Sequence, residues 1–127
     1  MSPSEILNCG GYHELGRRAF RCSRVHLDVD LRMAIIQSCN VFFYRLAERP
    51  GMMQAITEYA QLLGFGEPTG VGLSESRGRV ESRDQHPGFR LGHALNAAIG
   101  QGRTLVTVLQ LAMAYAAVAN DGVLMRP

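Results

Sequence analysis

The sequence predicts a mainly α chain with few short strands. Three observations carry this. Met52, Ile56, Tyr59, Ala60 and Leu63 recur at three- and four-residue spacing, which makes one buried stripe on a helix. Residues 107–119 are almost unbroken in apolar side chains, with Gln110 the main exception. Only residues 25–30 alternate apolar with polar as a strand does.

The elements follow in order. Residues 1–24 read as a packed loop, punctuated by Gly10-Gly11 and Gly16, with one short strand around Ala19 to Arg21. Tyr12, Leu15 and Phe20 can anchor that loop. Val25, Leu27 and Val29 form the apolar side of a six-residue strand, and Asp30 can cap the helix after it. Residues 31–37 make two turns of helix. Ser38-Cys39-Asn40 then interrupts two apolar segments, as a short polar turn between buried helices does. On local pattern alone, its Ser or Asn is a helix N-cap contributing about 1 kcal/mol. Residues 41–48 and 51–63 are helices, separated by Pro50-Gly51, and Gly64 is placed to end the second. Residues 71–89 read as an exposed polar excursion. Residues 91–99 read as a short helix before the turn Gly100-Gln101-Gly102. The last helix is capped by Thr107, is expected to lie buried against other backbone, and stops at Asn120-Asp121-Gly122. Val123 to Met125 is expected to start a strand.

Composition narrows the function. The 127 residues suffice for one small domain, and 46% apolar content supports a core. Thirteen basic and eleven acidic side chains, evenly spread, give a net charge of +2, which does not make a nucleic-acid surface. No run of 18 apolar residues is present, so no helix here is long and apolar enough to span a membrane. Cys9, Cys22 and Cys39 are an odd number, which argues against a disulfide framework. Cys39, flanked by apolar residues, reads as a small buried hydrophobe. Cys9 with His13 and Cys22 with His26 form two Cys-x3-His pairs, four ligands that could make a tetrahedral zinc site. A Cys9–Cys22 disulfide is the other special reading, and free thiols are the default. Arg17, Arg18, Arg21 and Arg24 read as a solvated face. His86 and His93 read as surface or locally hydrogen-bonded groups, and Glu48 and Glu58 as surface positions.

The stretch Ala34-Ile35-Ile36-Gln37-Ser38-Cys39-Asn40-Val41-Phe42-Phe43-Tyr44 resembles the Ser-x-Asn motif region of class B penicillin-binding proteins, the peptidoglycan transpeptidases related to penicillin-binding protein 2. Gly16 to Cys22 resembles the stretch before that motif. Leu62 to Gly66 with Thr69-Gly70 resembles the family's Phe-Gly-Phe-Gly-x-x-Thr-Gly segment, with Leu63 at the first Phe position. Asn96 to Gly102, Val106 to Ala112 and Ala116 to Gly122 resemble its Gly-Gln-Gly turn and the buried helix beyond. Four motifs in the right order cover nearly the whole chain. The departures are specific. The chain contains no lysine, so it has neither the family's Ser-x-x-Lys nucleophile motif nor its Lys-Thr-Gly strand. Val25-His26-Leu27 stands where Gly-His-Gly is common, and Val108 where proline is usual after Thr107.

The resemblance implies the mainly helical part of the serine β-lactamase-like transpeptidase fold, lying between the nucleophile helix and the Lys-Thr-Gly strand. The expected organisation of this partial domain is a basic loop with a short strand (1–30), helices around Ser-x-Asn (31–64), the polar excursion (65–90), and the Gly-Gln-Gly turn with the buried helix (91–127). It implies acyl transfer in a longer parent: a serine outside this chain attacks a D-alanyl-D-alanine carbonyl, and an amine of another stem peptide takes the acyl group. Of that chemistry it assigns Ser38 as a proton relay and Asn40 as a donor to the acyl amide. No cofactor and no metal are expected, although some relatives of penicillin-binding protein 2 hold a metal near this segment. The implied partners are peptidoglycan stem peptides, β-lactams and the rest of the domain. The implied location is the periplasmic face of a bacterial inner membrane, in elongation or septation. A β-lactamase or carboxypeptidase piece fits less well. The alternative from another class is a noncatalytic helical binding or scaffolding module, stapled by zinc.

Overall fold

Much of the N-terminal stretch read as loop is strand. The computed structural model describes residues 2–127, and in it this stretch holds β1 (Leu7–Cys9), β2 (Tyr12–Leu15) and β3 (Arg18–Arg21), followed by β4 (Leu27–Val29). β2 and β3 form a hairpin in which Leu15 faces Arg18, so Gly16 and Arg17 alone make the turn. Gly16 has a φ of 61°, the left-handed value that a two-residue hairpin needs and glycine takes freely. β1 pairs antiparallel with β4, with Cys9 opposite Leu27, and Asn8 Nδ2 donates to Asp28 Oδ1 at 2.8 Å. The strand expected over residues 25–30 is therefore three residues long. β1, β3 and β4 each bury one side chain, Cys9, Phe20 and Val29. Such short, singly anchored strands leave little periodicity to read.

The helices stand close to where the sequence places them: α1 (Leu31–Ile36), α2 (Asn40–Ala47), α3 (Met52–Leu62), α4 (Leu91–Ala97) and α5 (Val108–Ala119). Asp30 caps α1, its carboxylate accepting from the Met33 N–H at 2.8 Å. The strand expected at Val123 does not form.

The chain packs as two compact units. The first takes the residues up to Met52 together with Arg90–Gly100. Its centre is α2, which buries Val41, Phe42, Tyr44 and Ala47 and touches β1, β2, β3 and α4. Phe42 and Leu95 are fully buried, and each such side chain contributes about 1.5–3 kcal/mol. The Phe20 and Tyr44 rings meet edge to face at 5.6 Å. His93 starts α4 by accepting from the Arg90 N–H through Nδ1 at 2.9 Å.

The second unit takes Met53–Phe89 and Gln101–Pro127. Here α3 closes with paired bonds, Phe65 N–H to Ala60 O at 3.1 Å and Gly64 N–H to Gln61 O at 2.9 Å, with Gly64 at φ 84°. Its buried stripe is not the expected one. Met53 and Thr57 face inward, whereas Tyr59 is 68% exposed. The Thr57 hydroxyl lies within hydrogen-bond reach of the Met53 and Glu81 carbonyls, at 3.0 and 2.9 Å, which makes a polar side chain the better inward residue. In α5 the pattern inverts further. Gln110 is buried, while Val108, Tyr115 and Val118 are exposed, so this helix is not enclosed as expected. Gln110 Nε2 donates to the Glu67 and Arg77 carbonyls at 2.7 and 2.9 Å, and Oε1 accepts from the Thr107 N–H at 2.8 Å.

The polar excursion is also more ordered than expected. Arg79 and Leu105 exchange two backbone bonds of 2.7 Å. Val80 and Glu81 are buried, and the Glu81 carboxylate accepts from the Arg103 N–H at 3.2 Å and lies 3.0 Å from His86 Nδ1. Glu75 closes the loop before it, accepting from the Thr69 and Gly70 N–H groups and the Thr69 hydroxyl.

Candidate functional site

Ser38 does not cap α2. The N-cap is Cys39, and Ser38 lies one residue earlier with a φ of 52°. Its backbone closes α1: Ser38 N–H donates to Ile35 O at 3.2 Å and Cys39 N–H to Ala34 O at 2.8 Å. This is the paired-bond C-terminal motif in which the left-handed residue is usually glycine. A serine there carries a conformational cost of about 1–2 kcal/mol, and strain of this kind gathers at functional sites. The result is an exposed hydroxyl on a rigid turn, because Cys39, the next residue, is fully buried.

Asn40 is the first residue of α2 and is half-buried. Its Nδ2 donates to the Arg21 carbonyl at 3.4 Å, as does the Tyr44 hydroxyl at 3.4 Å, so the end of β3 steadies the amide. Ser38 and Asn40 line one open hollow of about 250 Å³ with Ala34, Ile35, Phe43, Ala98 and Ile99. The structure thus brings both predicted site residues to one groove. A larger hollow of about 570 Å³, lined by Gln61, Phe65, Arg77, Arg79 and Gln85 among others, contains neither.

The cysteines are arranged differently from the two pairs that spacing suggested. All three are free thiols. The ligand atoms of Cys9, Cys22, His26 and Cys39 all lie within 4.8 Å of one another. His13 is elsewhere, with Nε2 3.0 Å from Glu48 Oε1 and its ring beside Tyr44. Topology gathers the four. β1 brings Cys9 opposite Leu27, the neighbour of His26. The Cys22 N–H donates to Gly11 O at 2.9 Å, drawing the base of the hairpin to the end of β1. The α1–α2 turn adds Cys39 from below. His26 Nδ1 is 3.4 Å from Cys9 Sγ and 3.5 Å from Cys22 Sγ, while His26 Nε2 is buried without a hydrogen-bond partner.

These distances suit a metal ion. Zinc bonds of about 2.3 Å to sulfur and 2.0 Å to nitrogen, at a tetrahedral angle, set S and N about 3.5 Å apart. Burial opposes ionising Cys22, but hydrogen bonds from the backbone at Val41, Arg24 and Asn40 and from the Cys9 side chain outweigh it and bring the thiol below its ordinary pKa. Burial pushes the Cys39 thiol up to about 12, and the neighbouring Cys9 and Cys22 add to the effect. A divalent cation among these sulfurs would reverse that penalty.

A family model for the penicillin binding protein transpeptidase domain matches residues 1–127. The chain belongs to that family. It is 40% identical over 103 residues to the peptidoglycan D,D-transpeptidase MrdA of Acinetobacter baumannii, covering 76% of this chain and 15% of the relative. It is 34% identical over 129 residues to the penicillin-binding protein PbpB of Mycolicibacterium smegmatis, covering 99% of this chain and 19% of the relative. The solved structure of the penicillin-binding protein PBP2 from Helicobacter pylori matches with a TM-score of 0.88 at 29% identity, over 100% of this chain and 25% of that one. The chain therefore spans less than a fifth of the length of the two curated relatives.

Membership of the transpeptidase family gives one departure a physical meaning. Leu27 stands where the family commonly has the second glycine of Gly-His-Gly, and its φ is 57°. The backbone keeps a glycine-like conformation although a leucine occupies it. Leu27 and Ser38, two of the three non-glycine residues at positive φ among the described residues, each adjoin a member of the four-donor cluster. Sequence reasoning missed Cys39 as a member because its apolar flanks read as plain core. What brings it in is the packing of α1 and α2 against β1, β2 and β4, a tertiary contact that no local window contains.

Proposed function

We propose that this chain forms the Ser38–Asn40 wall of the transpeptidation groove in a longer peptidoglycan D,D-transpeptidase. The carrying observation is that an exposed hydroxyl on a strained turn and an anchored amide line the same hollow, in a chain of this family. Serine is a poor nucleophile without a base, and no lysine is present. Ser38 accordingly acts as a relay, passing a proton between the parent's catalytic groups and the leaving amine. Asn40 donates to the acyl amide of a stem peptide or a β-lactam. The exposed Val108, Tyr115 and Val118 of α5 fit burial against the rest of the domain. The parent works at the periplasmic face of the inner membrane.

A fluorescent penicillin tests this. It is added to this chain and to a longer chain from the same gene that contains a Ser-x-x-Lys motif. Covalent label on the longer chain alone is expected. Label on the short chain would make a serine here the nucleophile, with Ser38 first in line, and the role assignment would fail. No label on either would favour the noncatalytic helical module.

The cluster of four donors favours a second, structural role for the same unit. Cys9, Cys22, His26 and Cys39 would hold a zinc ion, which supplies a cross-link between β1, the base of the hairpin and the α1–α2 turn. Ser38 and Asn40 flank one of those ligands, so such a tie steadies the groove.

A further inference from the structure

We infer that this cluster is a redox-released clamp, in which oxidation of Cys22 and its resolution by Cys9 expels the metal and frees the Ser38 turn. The inference rests on the zinc reading and not on the chemistry proposed for Ser38. Three free thiols within 4.8 Å of one another are close enough to be either metal ligands or disulfide partners, but not both at once. Burial selects the entry point. Cys9 and Cys39 are fully buried, and only Cys22 has surface that an oxidant can reach. Backbone placement selects the resolving thiol. The Cys22 N–H bonds to Gly11, two residues from Cys9, and the two cysteines belong to ribbons that meet there. Cys39 makes its own thiol contact with Cys9 rather than with Cys22, and its backbone is fixed in the α1–α2 turn by the bond to Ala34.

The reaction with a hydroperoxide balances. The Cys22 thiolate attacks the O–O bond and becomes a sulfenic acid, releasing hydroxide. The Cys9 thiolate then attacks that sulfur, forming the S–S bond and releasing a second hydroxide. Two thiolates lose two electrons to one peroxide. His26 and Cys39 remain, and two ligands do not retain zinc against a chelator. The consequence is local. With four ligands, three segments are tied together. With the disulfide, β1 and the hairpin base stay joined while Cys39, the N-cap of α2, is released. The zinc site and the Cys9–Cys22 disulfide that the spacing left open become two states of one cluster.

The test uses the full chain loaded with one equivalent of zinc and titrated with hydrogen peroxide. A chromogenic chelator reports free zinc, mass spectrometry maps the disulfide, and hydrogen exchange follows the amides of residues 38–41. One zinc per chain should appear in step with the Cys9–Cys22 disulfide. Exchange at residues 38–41 should rise at least tenfold, and dithiothreitol with zinc should restore protection. In the Cys39→Ser variant the same disulfide should form. Zinc retained at peroxide levels that oxidise an unstructured thiol peptide would overturn the switch, as would a disulfide containing Cys39. A wild-type chain that takes up no zinc would overturn the switch and the zinc reading together. Penicillin labelling of the reduced longer chain tests the transpeptidase reading separately from these results.

Discussion

Replacing Ser38 by glycine should make the protein more stable, although it deletes a predicted site residue. Ser38 sits at φ 52° as the left-handed residue that closes α1. An L-residue pays about 1–2 kcal/mol for that conformation, because its Cβ crowds the following carbonyl. Glycine does not pay it, but its unfolded chain is freer by about 0.5–1 kcal/mol. The difference leaves a net gain of about 0.5–1 kcal/mol, or roughly 2–5 °C in Tm for a chain of this size. The side chain itself has little to lose, since Ser38 is exposed. Ser38→Ala is the control: it removes the hydroxyl and keeps the Cβ, so its Tm should stay within about 0.5 kcal/mol of the parent, as surface substitutions usually do.

The assay is thermal unfolding of the three proteins side by side, with urea midpoints as a check. The expected order is Gly above Ser, with Ala equal to Ser. If glycine is no more stable than alanine, the turn is not strained and the serine is there for stability, which refutes the reasoning. Penicillin labelling of the longer parent completes the trade: glycine and alanine should both impair it, because both lack the hydroxyl.

Other substitutions probe the supports around the site and the second unit. Leu27→Gly should also stabilise, by about 1 kcal/mol, because Leu27 is mostly exposed and adopts a φ of 57°; unchanged or lower stability in urea unfolding would remove that strain. Gln110→Leu leaves the Glu67 and Arg77 carbonyls and the Thr107 N–H without their partner and should cost about 2–3 kcal/mol, read as a lower urea midpoint at unchanged slope. Glu75 has a carboxyl below its usual range, held there by the Thr69 hydroxyl and by the Thr69, Gly70 and Val71 backbone. Its folded pKa is depressed, so its support is complete above the unfolded value near 4.5 and fades as pH falls through the folded one. Amide exchange at Thr69 and Gly70, corrected for intrinsic rates, should therefore accelerate below that pH, and Glu75→Gln should abolish the dependence.

The helices were legible because their boundaries carry their own chemistry. Asp30 and Thr107 cap as their side chains suggest, and Gly64 ends α3 at the residue the pattern names. Of the strands, β3 and β4 were legible, as the run around Ala19 to Arg21 and the alternation over residues 25–30; β1 and β2 were not, because they are three and four residues long and bury at most one side chain each. The hairpin had one readable sign, Gly16-Arg17 between two short runs, and it was outweighed by the glycines and arginines around it. Burial misled where polar groups turn inward. Thr57 and Gln110 are buried because carbonyls from distant segments need donors, and no periodicity records such a need. Ser38 and Asn40 were singled out by motif and line one hollow, but the cap assignment failed. A serine before an apolar helix looks the same in sequence whether it begins that helix or ends the one before.

That ambiguity also says why the turn is built from these residues. The relay role proposed for Ser38 would need its hydroxyl held within a fraction of an ångström of its partners. Glycine at position 38 would satisfy the backbone and supply no oxygen. Serine supplies the oxygen and needs its surroundings to enforce the conformation. Three restraints do so. α1 closes onto Ser38 and Cys39 through two backbone bonds. Asn40 is pinned to β3 through Arg21. Cys39 is buried among Cys9, Cys22 and His26. Removing the third leaves a strained residue held by α1 and one long side-chain bond of 3.4 Å. The donor cluster and the hydroxyl are thus adjacent along the chain, and on the zinc reading proposed above ligation at Cys39 would set how firmly Ser38 is presented to the groove.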